Sequence, residues 1–105
     1  MARSKKLGIL LGAHPAQRGF AHGLALARAA LAAGLDVYCY LVDEAVLGVE
    51  RPEVQALRTM GLKLYACAYG AHRHGVSPGD KAIFAGLTVV SDLMAGTDRF
   101  LSINA

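Results

Sequence analysis

Cysteine, charge and long apolar runs are all scarce in this sequence, and each scarcity removes a class of protein. The two cysteines, Cys39 and Cys67, are too few and too far apart for a disulfide framework or a zinc ribbon. With no Cys-x-x-Cys pair, dithiol redox chemistry of the thioredoxin kind is disfavoured as well. Charged residues are only 18% of the chain, and the net charge of +3 rests on Arg3, Lys5 and Lys6, without which eight bases face eight acids. A nucleic-acid binder shows a clustered basic face with stacking aromatics, and neither occurs outside the neighbourhood of Arg73. No apolar run is long enough to cross a bilayer: Leu7 to Ala13 is short, and the Ala-rich stretch from Leu24 to Ala33 contains Arg28. Gly8 and Gly12 lack the dinucleotide-binding spacing, there is no phosphate loop, and Ser77, Ser91 and Ser102 lack the nucleophile-elbow context of a serine hydrolase. No cofactor, no nucleic acid and no membrane partner is expected.

What the chain does have is an apolar fraction of 54% in 105 residues. That length makes one domain, residues 1–105, with a single core. A body this small cannot easily hide so much apolar surface, so self-association is the natural outlet. The basic N-terminal residues run straight into a strand-like segment, without a separate apolar region and a small-residue cleavage site; a cytoplasmic location, with both thiols reduced, is the expectation.

Apolar patterning alternates between two periods. Lys6 to Ala13 reads as a strand buried on both faces, followed by a loop with His14 and Pro15. Arg18 to Ala33 carries Phe20, Leu24, Ala27 and Leu31 on one helical stripe, closed by Gly34. Leu35 to Val42 is a second buried strand, with Cys39 in its middle as a packed core thiol. Asp43 and Glu44 read as a solvated turn. Pro52 opens a short helix that ends at Met60 and Gly61, and Leu62 to Cys67 alternates as a third strand. After Pro78, Lys81 to Ala85 reads as a brief strand, Leu87 to Ala95 as a helix stopped by Gly96, and Asp98 to Ile103 as a terminal strand. Strands alternating with helices at this period predict an α/β fold: three layers, α/β/α, around a mainly parallel sheet of about five strands.

One stretch carries chemistry. Cys67 leaves its strand where Tyr69 and Gly70 open a short segment bearing His72, Arg73 and His74, stopped by Gly75. The reactive form of cysteine is the thiolate, which a helix start, an arginine or a protonated histidine favours. Ligands of open α/β sheets meet the carboxyl ends of strands, where Cys67 is placed and where the loop of His14 also opens. Cys67 with His72 and His74 offers zinc-ligand types, but two histidines two residues apart share no helix face and no second thiolate or acid pair completes a tetrahedron, so no metal is expected. An acyl-transferring Cys-His pair lacks a marked oxyanion hole and an orienting carboxylate. Simple thiol chemistry requires less, with Arg73 directed at the thiolate or at a partner's carboxylate and the histidines tuning charge near neutral pH.

The chain resembles the DsrE/DsrF-like family, small α/β proteins of sulfur trafficking. The resemblance runs through nearly the whole sequence: the opening Lys-Leu-Gly-Ile-Leu-Leu, the alanine-rich stretch from Ala27 to Val37, Cys67 followed by Arg73-His74-Gly75-Val76, and the closing Thr97-Asp98-Arg99-Phe100-Leu101. The cysteine with its following Arg-x-Gly is the most specific part. The resemblance implies a persulfide carrier, or sulfurtransferase-like protein, whose Cys67 takes a sulfane sulfur from a donor protein and hands it to an acceptor thiol. It also implies assembly as a trimer or hexamer. Three other roles are compatible with the residues: a non-catalytic oligomeric subunit, a binding module of a sulfur relay, and a thiol redox sensor that forms a sulfenic acid. The short stretch from Ser77 to Ala85 departs from the family pattern and points to a self-assembling member.

Overall fold

A computed structural model describes residues 4–105. Five strands, β1 (Lys6–Leu11), β2 (Asp36–Leu41), β3 (Lys63–Cys67), β4 (Ile83–Ala85) and β5 (Arg99–Ile103), form one sheet in the order β4-β3-β2-β1-β5. Every neighbouring pair is parallel. Four helices connect them: α1 (Arg18–Ala32), α2 (Pro52–Thr59), α3 (Ala68–Arg73) and α4 (Thr88–Gly96), with a 3₁₀ turn over Asp43–Gly48 between β2 and α2. The expected three-layer α/β/α architecture is the one observed. Boundaries differ from the sequence pattern by one or two residues, and the 3₁₀ turn takes up what reads in sequence as a plain turn.

Side-chain alternation along parallel strands assigns the two faces. Leu7, Ile9 and Leu11 of β1 stand beside Val37, Cys39 and Leu41 of β2, and Leu64 and Ala66 of β3 continue the row. All are buried, with α1 packed on β1 and β2 and α2 packed beside α1. Burying a side chain such as Ile9, Leu11 or Leu41 stabilises by roughly 1.5–3 kcal/mol, so this face dominates the core. The buried stripe of α1 is Gly19, Phe20, Gly23, Ala27 and Ala30, while Leu24 and Leu31 are only half-buried. Small residues let the helix approach closely: a Cβ at Gly23 would lie 3.0 Å from a methyl of Leu11.

The opposite face carries Tyr38 and Tyr40 of β2, Tyr65 and Cys67 of β3, and Phe100 of β5, with α4 packed across part of it. Two left-handed glycines return the chain from α1 and α2 to the sheet, Gly34 with φ 87° and Gly61 with φ 114°. A side chain in that conformation would be strained, which is why glycine serves there. Each then lets the next strand run back parallel to the last, so the loops after β1, β2 and β3 open along one edge of the sheet.

Candidate functional site

Cys67 is both the last residue of β3 and the cap of α3. Its backbone is still extended, at φ −66° and ψ 119°, and its sulfur takes the place that a serine or aspartate oxygen usually fills at a helix start. The Gly70 N–H donates to the sulfur at 3.3 Å. Such a bond strengthens when its acceptor carries negative charge. The thiol is only 3% exposed, yet it borders a cavity of about 180 Å³ that Val42, Asp43, Tyr69, Gly70, Arg73 and Leu87 complete. The walls are mainly apolar apart from one guanidinium and one carboxylate.

Of the cations gathered in sequence around Cys67, the structure places Arg73 alone on this cavity. His72 is exposed and lines a separate hollow with Ala68, Ala71, Gly75, Val76, Ser77 and Pro78. His74 turns to the neighbouring loop, where its Nε2 lies 3.2 Å from Oδ1 of Asp43. His14 sits in the loop after β1 with its Nδ1 accepting from the Ala16 N–H at 2.9 Å, while its own backbone N–H donates to Gln17. It opens on the same sheet edge as Cys67 but does not line the cavity. Among the described residues, no three of the His, Cys, Asp and Glu side chains gather as metal ligands would.

Two residues near the sulfur have little sequence signal. Asp43 reads as a solvated turn, yet it lines the cavity, holds a left-handed φ of 52° and pairs with His74. Tyr40 reads as one more aromatic of a buried strand. Its hydroxyl donates to the Ala85 carbonyl at 2.9 Å, and its pKa is pushed up by burial first and then by the charge and hydrogen bonding of Cys67. What would have exposed both is the strand register, which brings the carboxyl ends of β2, β3 and β4 together. Cys39, by contrast, is mid-strand beneath the helices, and burial pushes its thiol up to about 12. It is an inert core residue.

The sequence model of the DsrE/DsrF-like family matches residues 5–103. The chain belongs to that family. Two solved structures share its fold: the YchN protein from E. coli, at a TM-score of 0.80 and 18% identity over 96% of this chain and 100% of that one, and BT1422, a conserved protein of unknown function from Bacteroides thetaiotaomicron, at 0.76 and 19% over 98% and 100%. No curated protein matches the sequence. In this DsrE/DsrF-like chain, Cys67 ends β3 and caps α3, Arg73 is the last residue of α3, and His74 and Gly75 follow at its C-terminal end.

Proposed function

We propose that this chain is a cytoplasmic sulfur carrier that takes a sulfane sulfur onto Cys67 as a persulfide and passes it to a partner thiol. The observation that carries the reading is the setting of the Cys67 sulfur: strand end, helix cap, backbone donor, and an adjoining cavity with Arg73 on its wall. Acceptance is a thiol exchange. The Cys67 thiolate attacks the outer sulfur of a donor persulfide R–S–SH, the donor's S–S bond breaks, and R–S⁻ leaves behind Cys67–S–SH. Release repeats the step with an acceptor thiolate R′–S⁻ attacking, which gives R′–S–SH and returns the charge to Cys67. Neither step consumes an external oxidant or reductant, and no resolving cysteine is needed within the chain. The 180 Å³ cavity leaves ample room for one added sulfur atom.

A second reading also has an observation behind it. Tyr69, Ile83, Leu87 and Met94 are large apolar side chains left well exposed on α3, β4 and the α4 region. On this reading those side chains form the contact surface of a homo-oligomer, trimer or hexamer, within which Cys67 is a spectator. Intact-mass spectrometry of wild type, Cys67→Ser and Cys39→Ser after exposure to a polysulfide, with and without reductant, separates the two. A reductant-labile gain of one sulfur atom that survives Cys39→Ser and vanishes with Cys67→Ser is the expected result. Absence of the gain in wild type, with Cys67 closed to alkylation in the native state, overturns the carrier in favour of the subunit. A sulfenic acid at Cys67 in place of the persulfide points to the redox sensor.

A further inference from the structure

The geometry points to Tyr40 as a positioning residue for Cys67, its hydroxyl serving as a switchable hydrogen-bond donor to the reacting sulfur. The inference rests on the carrier reading above for its purpose, though not for its test. Tyr40 of β2 is in register with Tyr65 of β3, and Cys67 lies two residues further along β3, so the side chains of Tyr40 and Cys67 stand on one face of the sheet. Ala85 of β4 is in turn the register partner of Cys67. Because the Tyr40 hydroxyl reaches the Ala85 carbonyl, its phenol ring spans the width of β3 at the level of Cys67. Tyr40 is wholly buried, so its ring is held by packing on the face of the sheet that Cys67 shares.

A phenol has one hydrogen to donate. With Cys67 neutral, that hydrogen goes to the Ala85 carbonyl, a neutral acceptor at 2.9 Å. When the sulfur is a thiolate, a charged acceptor lies beside the same hydroxyl, and charge-assisted hydrogen bonds are about twice as strong as neutral ones. The hydrogen then turns to the sulfur. No proton is transferred, because burial and the neighbouring sulfur both keep the phenol protonated. In sulfur acceptance the hydroxyl holds the attacking thiolate in place, and it releases toward Ala85 as the charge departs with the donor. In sulfur release, Cys67 is the leaving group, and the hydroxyl meets the charge as it returns. Gly70 N–H and Tyr40 O–H thus supply two donors from two different elements. Arg73 of α3 and Asp43 of the 3₁₀ turn, with His74 behind Asp43, are the charged groups around the same cavity, and a change at Tyr40 leaves them intact.

Tyr40→Phe keeps the ring and removes the donor. The measurement is the rate of Cys67 alkylation by iodoacetamide as a function of pH, with the alkylated residue confirmed by peptide mass, in wild type, Tyr40→Phe and the control Tyr65→Phe. Loss of a hydrogen bond to a charged group predicts alkylation about tenfold slower near neutral pH and a profile displaced to higher pH, with the plateau rate preserved. Tyr65→Phe is expected to overlay wild type. A Tyr40→Phe profile that overlays wild type, or one lowered by the same factor at every pH, overturns the proposal, since a packing role alone produces the second pattern. A second measurement needs no variant at Tyr40: with tyrosine labelled at Cζ, the Tyr40 carbon resonance is expected to follow the titration of Cys67 and to stay still in Cys67→Ser. A resonance unmoved in wild type over the same range overturns the proposal. Neither measurement uses a sulfur donor, so failure here is distinguishable from failure of the persulfide reading.

Discussion

The two faces of the sheet each hold one cysteine, and burial does not tell the cysteines apart: Cys39 is 2% exposed and Cys67 is 3%. What differs is the place on the strand. Cys39 lies in mid-strand, beside Ile9 of β1 and Leu64 of β3, and burial is what raises its pKa. Cys67 lies at the strand end on the thinly covered face, where the ladder gives way to a helix start and a backbone N–H turns to the sulfur. The strand end gives Cys67 a backbone donor and a bordering cavity, whereas Cys39 in mid-strand is packed among core residues.

Removing each thiol in turn separates the two cysteines most strongly. Cys67→Ser is expected to abolish sulfur uptake, while Cys39→Ser retains it in full, read by intact mass after polysulfide treatment. Sulfur on Cys39 in the Cys67→Ser variant defeats the distinction between the two faces. Stability gives the next largest contrast. Leu41→Ala on the sealed face is expected to cost about 2–5 kcal/mol in denaturant unfolding, whereas Leu87→Ala on the other side costs about 0.5 or less in a dissociated chain. If self-assembly covers Leu87, the same substitution lowers the concentration dependence of the unfolding midpoint instead.

The alkaline limb of stability sharpens the contrast further. The Cys39 thiol rises from an ordinary 9.0 to about 12 on folding. An unfolded chain therefore loses that proton from about pH 9, while the folded chain keeps it. The unfolded state then binds fewer protons, so stability falls as pH rises between 9 and 12, and the contribution is fully present below 9. Three pH units correspond to about 4 kcal/mol at the upper end, an outer bound. Cys39→Val is expected to flatten this limb in unfolding experiments run across that range. Tyr40, raised in the same direction, leaves a residual slope at higher pH.

Periodicity was enough to read the sheet, because both faces of β1 and β2 are apolar and the helices between them repeat at a helical period. Cys67 at a strand end was legible for a similar reason: the alternation from Leu62 stops at a thiol, and Tyr69 and Gly70 follow. The grouping around it was not. Arg73, His72 and His74 are adjacent in sequence, but consecutive residues on a short helix diverge by about 100° each, so they reach three different places. Tyr40 arrives from β2 and Asp43 from the 3₁₀ turn that follows it. Their approach depends on register, which a run of residues apolar on both faces does not specify.

Asp43 supplies the smallest test, and it asks why the loop after β2 keeps its shape beside the cavity. Its left-handed φ of 52° costs a non-glycine residue about 1 kcal/mol, less for aspartate than for most. Its pairing with His74 is partly exposed, and such pairs are worth about 0–1 kcal/mol. The two effects are similar in size and act in opposite directions, so the substitutions separate them. Asp43→Gly removes the strain along with the pair and is expected to leave stability within about 0.5 kcal/mol of wild type. Asp43→Ala keeps the strain, loses the pair and should fall about 1 kcal/mol lower. His74→Gln, which removes the imidazole from the pair, is expected to cost about 0.5 kcal/mol or less in denaturant unfolding. If His74→Gln costs as much as Asp43→Ala, the ion pair rather than the backbone holds this wall of the cavity. Equal stabilities for Asp43→Gly and Asp43→Ala would mean that the left-handed turn carries no strain for the pair to offset.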